Sequence, residues 1–193
     1  LLTWLWTRLY DGVDVRNAEH LDRLPPGCEI VYVPCHRSHA DYLLLSYVIY
    51  ARGYALPYIA AGINLNLPVI GRYLRKGGAF FIRRSFKGDK IYSATLRAYV
   101  KYLLRERFTQ EFFPEGGRSR TGKLLFPKTG LFSMEVDAWG DGAVDDVLFI
   151  PIAVDYERLV EGPSYAQELA GGEKKKESFG ALLQTPRALL RRY

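Results

Sequence analysis

The sequence predicts an α/β fold, with a central mixed, mostly parallel sheet of five or more strands flanked by helices. Segments with the pattern of strands alternate with segments with the pattern of helices along most of the 193 residues. Three of the strand segments are short apolar runs bounded by turn residues, which is typical of strands covered on both faces. Hydrophobic residues make up 48% of the chain, so it can bury a sizeable core.

Five strands are predicted from apolar runs that stop at Pro, Gly or charged residues. They cover residues 30–33, 58–62, 79–82, 110–114 and 147–154. The helices between them show apolar residues at helical spacing or a capping residue in front. The first of these helices begins near Ala40. The others cover 67–74, 90–107 (capped by Asp89) and 129–139 (capped by Thr129), and shorter helices are predicted at 17–24 and 181–192.

We expect one domain over residues 1–193, with a helical lead-in at 1–28, an α/β core at 29–155 and a polar, partly mobile tail at 156–193. The chain starts without Met, so we expect it to be part of a longer protein. Residues 1–10 fit either an interfacial helix or a helix docked on another domain. No apolar run reaches 18 residues, so no transmembrane helix is predicted. Two cysteines without a secretory signal indicate a reducing compartment.

The net charge of +6 favours an acidic partner, such as a phosphorylated substrate, an anionic membrane, nucleic acid or an acidic carrier protein. Nucleic acid is the weakest of these partners. The aromatic residues lie in apolar strands and are not interleaved with the basic residues, as base stacking requires.

The end of the first strand carries the first candidate site. Residues 36–41, His-Arg-Ser-His-Ala-Asp, follow Pro34 and lead into a helix. With His36 in the turn and Asp41 in the first helical turn, the carboxylate can reach back to the imidazole. It would fix one ring nitrogen and leave the other free to take a proton near neutral pH. No protein nucleophile accompanies the pair, so the nucleophile would be a substrate hydroxyl. The alternative is that both residues serve only as caps.

The loop at 115–123 is the second candidate site, because it combines three glycines with Arg118, Arg120 and Lys123. Glycines let backbone N–H groups approach a phosphate, and arginine binds its oxygens in pairs. Arg83 ends another strand and could join them. A charged surface turn is the simpler alternative. A nucleotide-binding loop of the Walker type is disfavoured, because Leu124 stands where Ser or Thr should hold Mg²⁺.

Four blocks together resemble the glycerolipid acyltransferase family. They are the His-x4-Asp of residues 36–41, the strand end Gly-Ala-Phe-Phe-Ile-Arg-Arg of 78–84, the Phe-Pro-Glu-Gly-Gly-Arg of 113–118 and the Phe-Ile-Pro-Ile-Ala of 149–153. All four occur in the family's order. The longer forms His-Arg-Ser-His-x-Asp and Glu-Gly-Gly-Arg-Ser-Arg-Thr-Gly look most like the bacterial membrane-associated glycerol-3-phosphate 1-O-acyltransferases.

This resemblance implies a glycerolipid acyltransferase-like domain in which residues 29–155 are the catalytic core. It implies acyl transfer from acyl-CoA or acyl-acyl carrier protein to the 1-hydroxyl of glycerol 3-phosphate, for phospholipid synthesis. His36 and Asp41 would be the catalytic pair. The implied substrate-binding residues are Arg83, Glu115, Gly116, Gly117, Arg118, Ser119 and Arg120.

The resemblance also implies no metal or other cofactor, since the acyl donor is a co-substrate, and a peripheral position at the cytoplasmic face of the cell membrane. Two alternatives stay open. The acceptor could be 1-acylglycerol 3-phosphate or dihydroxyacetone phosphate. The chain could also be a non-catalytic, basic module that binds membrane surfaces, although such a module would not need His36 beside Asp41.

Overall fold

A computed structural model describes Trp6 and residues 10–159 and 161–171 of the chain. The strands are β1 Cys28–Pro34, β2 Tyr58–Gly62, β3 Ala79–Ile82, β4 Gln110–Glu111 and β5 Asp146–Ile152. They form one sheet in the order β3-β2-β4-β1-β5, and every neighbouring pair is parallel. The predicted α/β class is confirmed, and all strand pairings in the described part of the chain are parallel.

Helices connect successive strands, as the crossovers of a parallel sheet require. They are α1 Asp41–Ala51, α2 Ile70–Lys76, α3 Lys90–Arg105, α4 Gly130–Gly140 and α5 Gly162–Leu169, with 3-10 turns at Ala18–Arg23 and Ile63–Leu65. The sequence pattern predicts a polar tail, and no helix, where α5 lies. The helix predicted at 181–192 and most of residues 1–10 lie outside the described residues. Within the described ranges, no helix combines the length and apolar character needed to cross a bilayer.

One face of the sheet packs against α1. Tyr32 of β1 contacts Leu45 and Ile49 of α1, and all three side chains are buried. Asp41 is buried on the same side of α1, because residues four apart share a helix face. The stripe that anchors α1 in the core therefore also fixes where Asp41 points.

The opposite face is covered by α3 and α4. Leu104 of α3 and Ala138 of α4 pack with Val31 of β1 and with Phe112, which directly follows β4. Both faces of the sheet are thus covered, as the apolar character of the strands predicted.

Several element ends differ from the predicted ones for local reasons. Asp89 caps α3 as expected, because its carboxylate accepts the backbone N–H of Tyr92 at 2.9 Å. Thr129 stands before α4, but its side chain makes no capping hydrogen bond. The predicted strand at 110–114 ends at Glu111. Gly78 precedes β3 with φ of +92°, and a Cβ there would lie 2.9 Å from the Pro57 carbonyl oxygen, so the close approach of β3 to β2 requires glycine.

Candidate active site

The candidate site lies at the edge of the sheet where the strands end. Because the strands are parallel, their carboxyl ends meet at one edge, which is where α/β proteins place ligand sites. β1 lies between β4 and β5. The turn at 35–40, which joins β1 to α1, is therefore flanked by the segments that follow those two strands.

His36 and Asp41 form the contact that the sequence predicted. His36 Nδ1 lies 2.8 Å from Asp41 Oδ2, with the imidazole side chain 14% exposed and the carboxylate fully buried. The same oxygen accepts the backbone N–H groups of Arg37 at 2.6 Å and Ser38 at 2.9 Å, so the turn wraps around it. Because a carboxylate only accepts hydrogen bonds, Nδ1 carries the proton of the neutral ring and Nε2 keeps a lone pair.

The other oxygen of Asp41 is bound by a residue in the segment that follows β5. The Tyr156 hydroxyl donates to Asp41 Oδ1 at 2.7 Å. Burial raises the pKa of Tyr156 well above its usual range, and the neighbouring Asp41 charge raises it further. The phenol therefore stays protonated and acts as a donor. Four donors on one buried carboxylate offset the cost of removing its charge from water.

The segment after β4 holds the backbone of His36 on both sides. The Glu115 carboxylate accepts the His36 N–H at 2.8 Å through Oε1 and the Leu125 N–H at 2.8 Å through Oε2. The Ser119 N–H donates to the His36 carbonyl at 2.7 Å. The ring of Phe113 lies 4.2 Å from that of His36, centroid to centroid. The two motifs found in the sequence are thus locked to each other.

Glu161, which directly precedes α5, makes a third set of contacts with the same turn. Glu161 accepts the Ser38 hydroxyl at 2.8 Å and the His39 N–H at 2.9 Å. Arg118 Nη1 lies 3.3 Å from Glu161 and donates to the Tyr165 hydroxyl at 2.8 Å. The side chains of Glu161 and Arg118 are 2% and 10% exposed, so this ion pair is buried.

His39 is a buried neutral imidazole. Burial lowers the pKa of His39 to about 3, with further lowering from the charges of Arg118 and His36. Its Nδ1 lies 3.4 Å from the Tyr42 hydroxyl. Of the two histidines in the turn, His36 is therefore the one whose ring is held on Asp41.

The predicted anion-binding arginines each have an acidic neighbour. Arg118 faces Glu161, and Arg120 pairs with Glu168 while lying over the Tyr165 ring at 5.5 Å. Arg83 pairs with Asp89 at 2.9 Å, over the ring of Tyr92 and with 56% of its side chain exposed. The structure therefore brings Arg118 and Arg120 to the same helix, α5. It leaves Arg83 at the end of β3, three strands away from β1.

The remaining predicted residues lie in the loop that follows β4. Ser119 is buried and its hydroxyl donates to the Lys123 carbonyl. Gly116 has φ of +60°, and a Cβ there would lie 2.8 Å from Lys128 Cδ, whereas a Cβ at Gly117 would meet open space. No helix begins until Gly130, which does not match the loop-to-helix geometry of a Walker-type site.

Sequence reasoning missed three residues that build the site: Tyr156, Glu161 and Tyr165. Tyr156 follows β5 at the carboxyl edge, and that position alone could have identified it. Pro163 in the first turn of α5 is a helix-start signal that could have placed the other two.

Comparison with known proteins gives a consistent result. A family model described as acyltransferase matches residues 12–155. The chain is 52% identical over 189 residues to a glycerol-3-phosphate acyltransferase of Histophilus somni, covering 97% of this chain and 23% of that protein. Proteins of the same name from Pseudomonas paraeruginosa and Pseudomonas entomophila are 49% and 47% identical over 193 residues, covering 100% of this chain and 23% of each. The chain therefore spans about a quarter of the length of these curated relatives.

Among solved structures, the chain is similar to the 1-acyl-sn-glycerophosphate (LPA) acyltransferase PlsC of Thermotoga maritima. The TM-score is 0.46 and the sequence identity 18%, over 91% of this chain and 77% of that one. The family model covers most of the chain, including the His36–Asp41 pair and the loop after β4. The chain belongs to the acyltransferase family.

Proposed function

We propose that this chain carries the catalytic centre for acyl transfer from acyl-CoA or acyl-acyl carrier protein to the 1-hydroxyl of glycerol 3-phosphate. The product would be 1-acylglycerol 3-phosphate, for phospholipid synthesis. One observation carries the proposal: Asp41 holds Nδ1 of His36 at 2.8 Å, which leaves Nε2 to act as a general base at the carboxyl edge of the sheet. The names of the relatives support glycerol 3-phosphate as the acceptor.

In the proposed reaction, His36 Nε2 takes the proton of the acceptor hydroxyl as its oxygen attacks the thioester carbonyl. Asp41 stabilises the imidazolium that forms. The tetrahedral intermediate then expels the thiolate, which receives the proton from His36. Proton and acyl group both leave the enzyme, so neither an acyl-enzyme nor a cofactor is part of the proposal.

The phosphate of the acceptor would be bound by Arg83, Arg118 and Arg120, with Ser119 and Gly117 in the same loop. In this structure the three guanidinium groups contact acidic side chains instead. We propose that a phosphate replaces some of these contacts, because guanidinium groups bind its oxygens in pairs. Glu115 and Gly116 would position the glycerol backbone by fixing the loop, since both oxygens of Glu115 already accept backbone N–H groups.

We further propose that the protein acts at the cytoplasmic face of the cell membrane as a peripheral protein. The net charge of +6 favours an anionic surface. Leu124 and Phe126 are 74% and 96% exposed, beside Lys123 and Lys128. Co-sedimentation of the full-length protein with anionic but not neutral vesicles is the expected result, and equal binding to both would contradict the role of charge.

Thiol release from palmitoyl-CoA by the full-length protein, measured with and without glycerol 3-phosphate, tests the function. We expect release to depend on the acceptor and to fall about 10²–10⁴-fold in His36→Ala and Asp41→Asn. His20→Ala is the matched control, because His20 is exposed and lies outside the 35–40 turn. Wild-type rates in both site variants would refute the proposal.

The same assay separates the alternatives. Dihydroxyacetone phosphate or 1-acylglycerol 3-phosphate in place of glycerol 3-phosphate would reveal a different acceptor by a higher kcat/KM. A non-catalytic membrane-binding module would release no thiol with any acceptor. The buried His36–Asp41 contact favours the enzyme, because a binding module gains nothing from an oriented imidazole.

A further inference from the structure

The two oxygens of Asp41 are held in different ways. Oδ2 accepts three N–H groups, all from the turn that contains His36. Oδ1 faces the segment after β5, where it accepts the hydroxyl of Tyr156 at 2.7 Å. The orientation of the carboxylate plane, and with it the direction of the His36 ring, therefore depends on a residue 115 positions away in the chain.

Tyr156 is itself held by its surroundings. The Cys35 N–H donates to the Ile152 carbonyl at 2.9 Å, and the Val154 N–H donates to Cys35 Sγ at 3.2 Å. The first bond extends the backbone pairing of β1 with β5 past the ends of both strands, and the second ties Val154 to the Cys35 side chain. The Tyr156 ring also packs near that of Tyr10, with centroids 5.8 Å apart. The hydroxyl is thus brought to Asp41 by backbone pairing and ring packing.

From this geometry we propose that Tyr156 is a positioning residue for acyl transfer, which sets the orientation and the basicity of the Asp41 carboxylate that holds His36. The inference rests on the proposed function. Tyr156 does not exchange a proton in the reaction. When His36 Nε2 takes the proton of the acceptor hydroxyl, the Nδ1–H stays on Oδ2 and the Tyr156 proton stays on its own oxygen.

The expected sign follows from hydrogen bonding to a charged group. A donor on Oδ1 stabilises the carboxylate and draws negative charge away from Oδ2. Without that donor the carboxylate becomes more basic and stabilises the protonated His36 more strongly. The apparent pKa of the acid limb of the pH–rate profile should therefore rise, while a less firmly held ring lowers the rate.

Other titratable and charged side chains surround this pair, and all of them remain in the variants proposed below. They are Tyr10 and Glu161 around Tyr156, Glu111 and Tyr42 around Asp41, Arg37 with Asp155 and His39 in the turn, and Glu115 and Arg118 after β4. A difference between wild type and a Tyr156 variant therefore reports on the one bond that was changed.

The first experiment compares the full-length wild type with Tyr156→Phe, over a pH series of kcat/KM for glycerol 3-phosphate. We expect kcat/KM to fall roughly 10-fold, less than on loss of the base itself, and the acid limb to move upward by about half a pH unit. Tyr50→Phe is the control. Tyr50 lies on the same helix as Asp41 but is 72% exposed, so neither quantity should change.

A second variant keeps the proposal testable if the phenylalanine protein unfolds on thermal scanning. Site-specific 3-fluorotyrosine at position 156 preserves the shape and the hydroxyl but makes the phenol a stronger donor. The acid limb should then move downward, opposite to the shift in Tyr156→Phe. A purely structural role for Tyr156 predicts no shift in either direction.

The outcomes separate the two proposals. If the wild type shows no acceptor-dependent transfer, the proposed function fails and the inference fails with it. If the wild type is active and both variants keep its acid limb, the inference alone is overturned. Opposite shifts in the two variants support it.

Discussion

At the scale of single residues, Glu111 is a carboxyl buried without a neutralising contact in the described part of the chain. It is 1% exposed, and neither of its oxygens has a hydrogen-bond partner among the described residues. Its register partner is Tyr32, which packs under α1, so Glu111 lies on the face that carries Asp41. Burial raises the pKa of Glu111 to about 8, and the Asp41 charge adds to the effect. The group is therefore largely protonated at neutral pH.

This burial should make the stability of the domain depend on pH. The unfolded chain releases the Glu111 proton near pH 4.5, whereas the folded chain keeps it until about pH 8. Stability therefore falls as pH rises through this window, by up to about 1.4 kcal/mol per pH unit. Glu111→Gln removes the effect. We expect urea-unfolding midpoints of the variant and the wild type to coincide near pH 4.5 and to separate increasingly toward pH 8, with the variant the more stable.

Comparing Glu111→Gln with the wild type removes the contributions of the other buried titratable groups to the pH dependence of stability. Burial also raises the pKa of Glu135 to about 8, and His39, with its pKa lowered to about 3, adds stability as pH rises from 3 to 6.5. Both are present in the variant and in the wild type, so their contributions drop out of the difference. Glu106→Gln, at an exposed position, should show no such trend. A constant difference between Glu111→Gln and wild type across pH would show that Glu111 is ionised in the fold.

The sequence predicted the residues of the site where their contacts are local. His36 and Asp41 are five positions apart across a strand end and a helix start, so their contact follows from short-range geometry. Tyr156 contacts the same carboxylate from 115 positions away, and that contact exists only because β5 pairs with β1. No local pattern contains this pairing.

At the scale of elements, α5 joins the two motifs of the site. Its first residues bring Glu161 to the Ser38 hydroxyl and to Arg118, and its next turn brings Tyr165 to the Arg37 carbonyl at 3.2 Å. The buried face of α5 therefore consists of polar groups with partners elsewhere. A polar segment looks like a solvated tail in the sequence, which is why this helix was not predicted.

Replacing Glu161 by alanine should lower the stability of the fold by more than a typical single substitution in so short a helix. In Glu161→Ala the buried Arg118 loses the carboxylate of Glu161, and the Ser38 hydroxyl loses its Glu161 acceptor. Removing one partner of a buried ion pair costs about 3–5 kcal/mol, because the other charge keeps its desolvation cost without that attraction. We expect a lower unfolding midpoint and, since the turn of His36 loosens, a lower kcat for acyl transfer.

Glu168→Ala provides the matched control, because Glu168 lies on α5 and also pairs with an arginine, Arg120. That pair is more exposed than the Arg118–Glu161 pair, at 22% and 16%, so solvent screens it more and its loss should lower stability less. Equal losses in the two variants would mean that α5 contributes through its helix as a whole, and not through the Glu161 contacts.

Other elements were predicted well because their signals are local. β2 and β3 have the predicted bounds, and α3 begins at the predicted residue, after the Asp89 cap. Each of these segments has an apolar pattern that ends at glycine, proline or a charged residue. β4 was predicted too long, because residues 112–114 remain apolar after ladder pairing has ended.

At the scale of the whole molecule, strand order decides which motifs meet. The order β3-β2-β4-β1-β5 brings the segments after β4 and β5 to either side of His36. It places Arg83, at the end of β3, three strands from β1, which is about 14 Å at roughly 4.8 Å per strand. The sequence predicted that these groups share one edge. It could not predict their separation, because strand order depends on contacts between distant segments.

This separation gives Arg83 a specific expected phenotype. If its guanidinium group leaves Asp89 to bind the phosphate of glycerol 3-phosphate, Arg83→Ala should raise KM for that acceptor about 10-fold or more. The kcat should change less, because a contact to the phosphate contributes binding that is shared by ground and transition states. Steady-state kinetics of the full-length protein, with each substrate varied in turn, measure both quantities.

Arg105→Ala is the matched control for this last prediction. Arg105 is the last residue of α3 and is exposed. It lies at the end of α3 that leads into β4, away from the carboxyl ends of the strands. Removing the same charge there should therefore leave both KM values unchanged. An increase in KM for the acyl donor alone would assign Arg83 to the donor's phosphates, which its distance from β1 also permits. Unchanged KM values for both substrates would leave Arg83 as a surface cation that pairs only with Asp89. Because exposed pairs of that kind contribute little to stability, unfolding midpoints should not change in either variant.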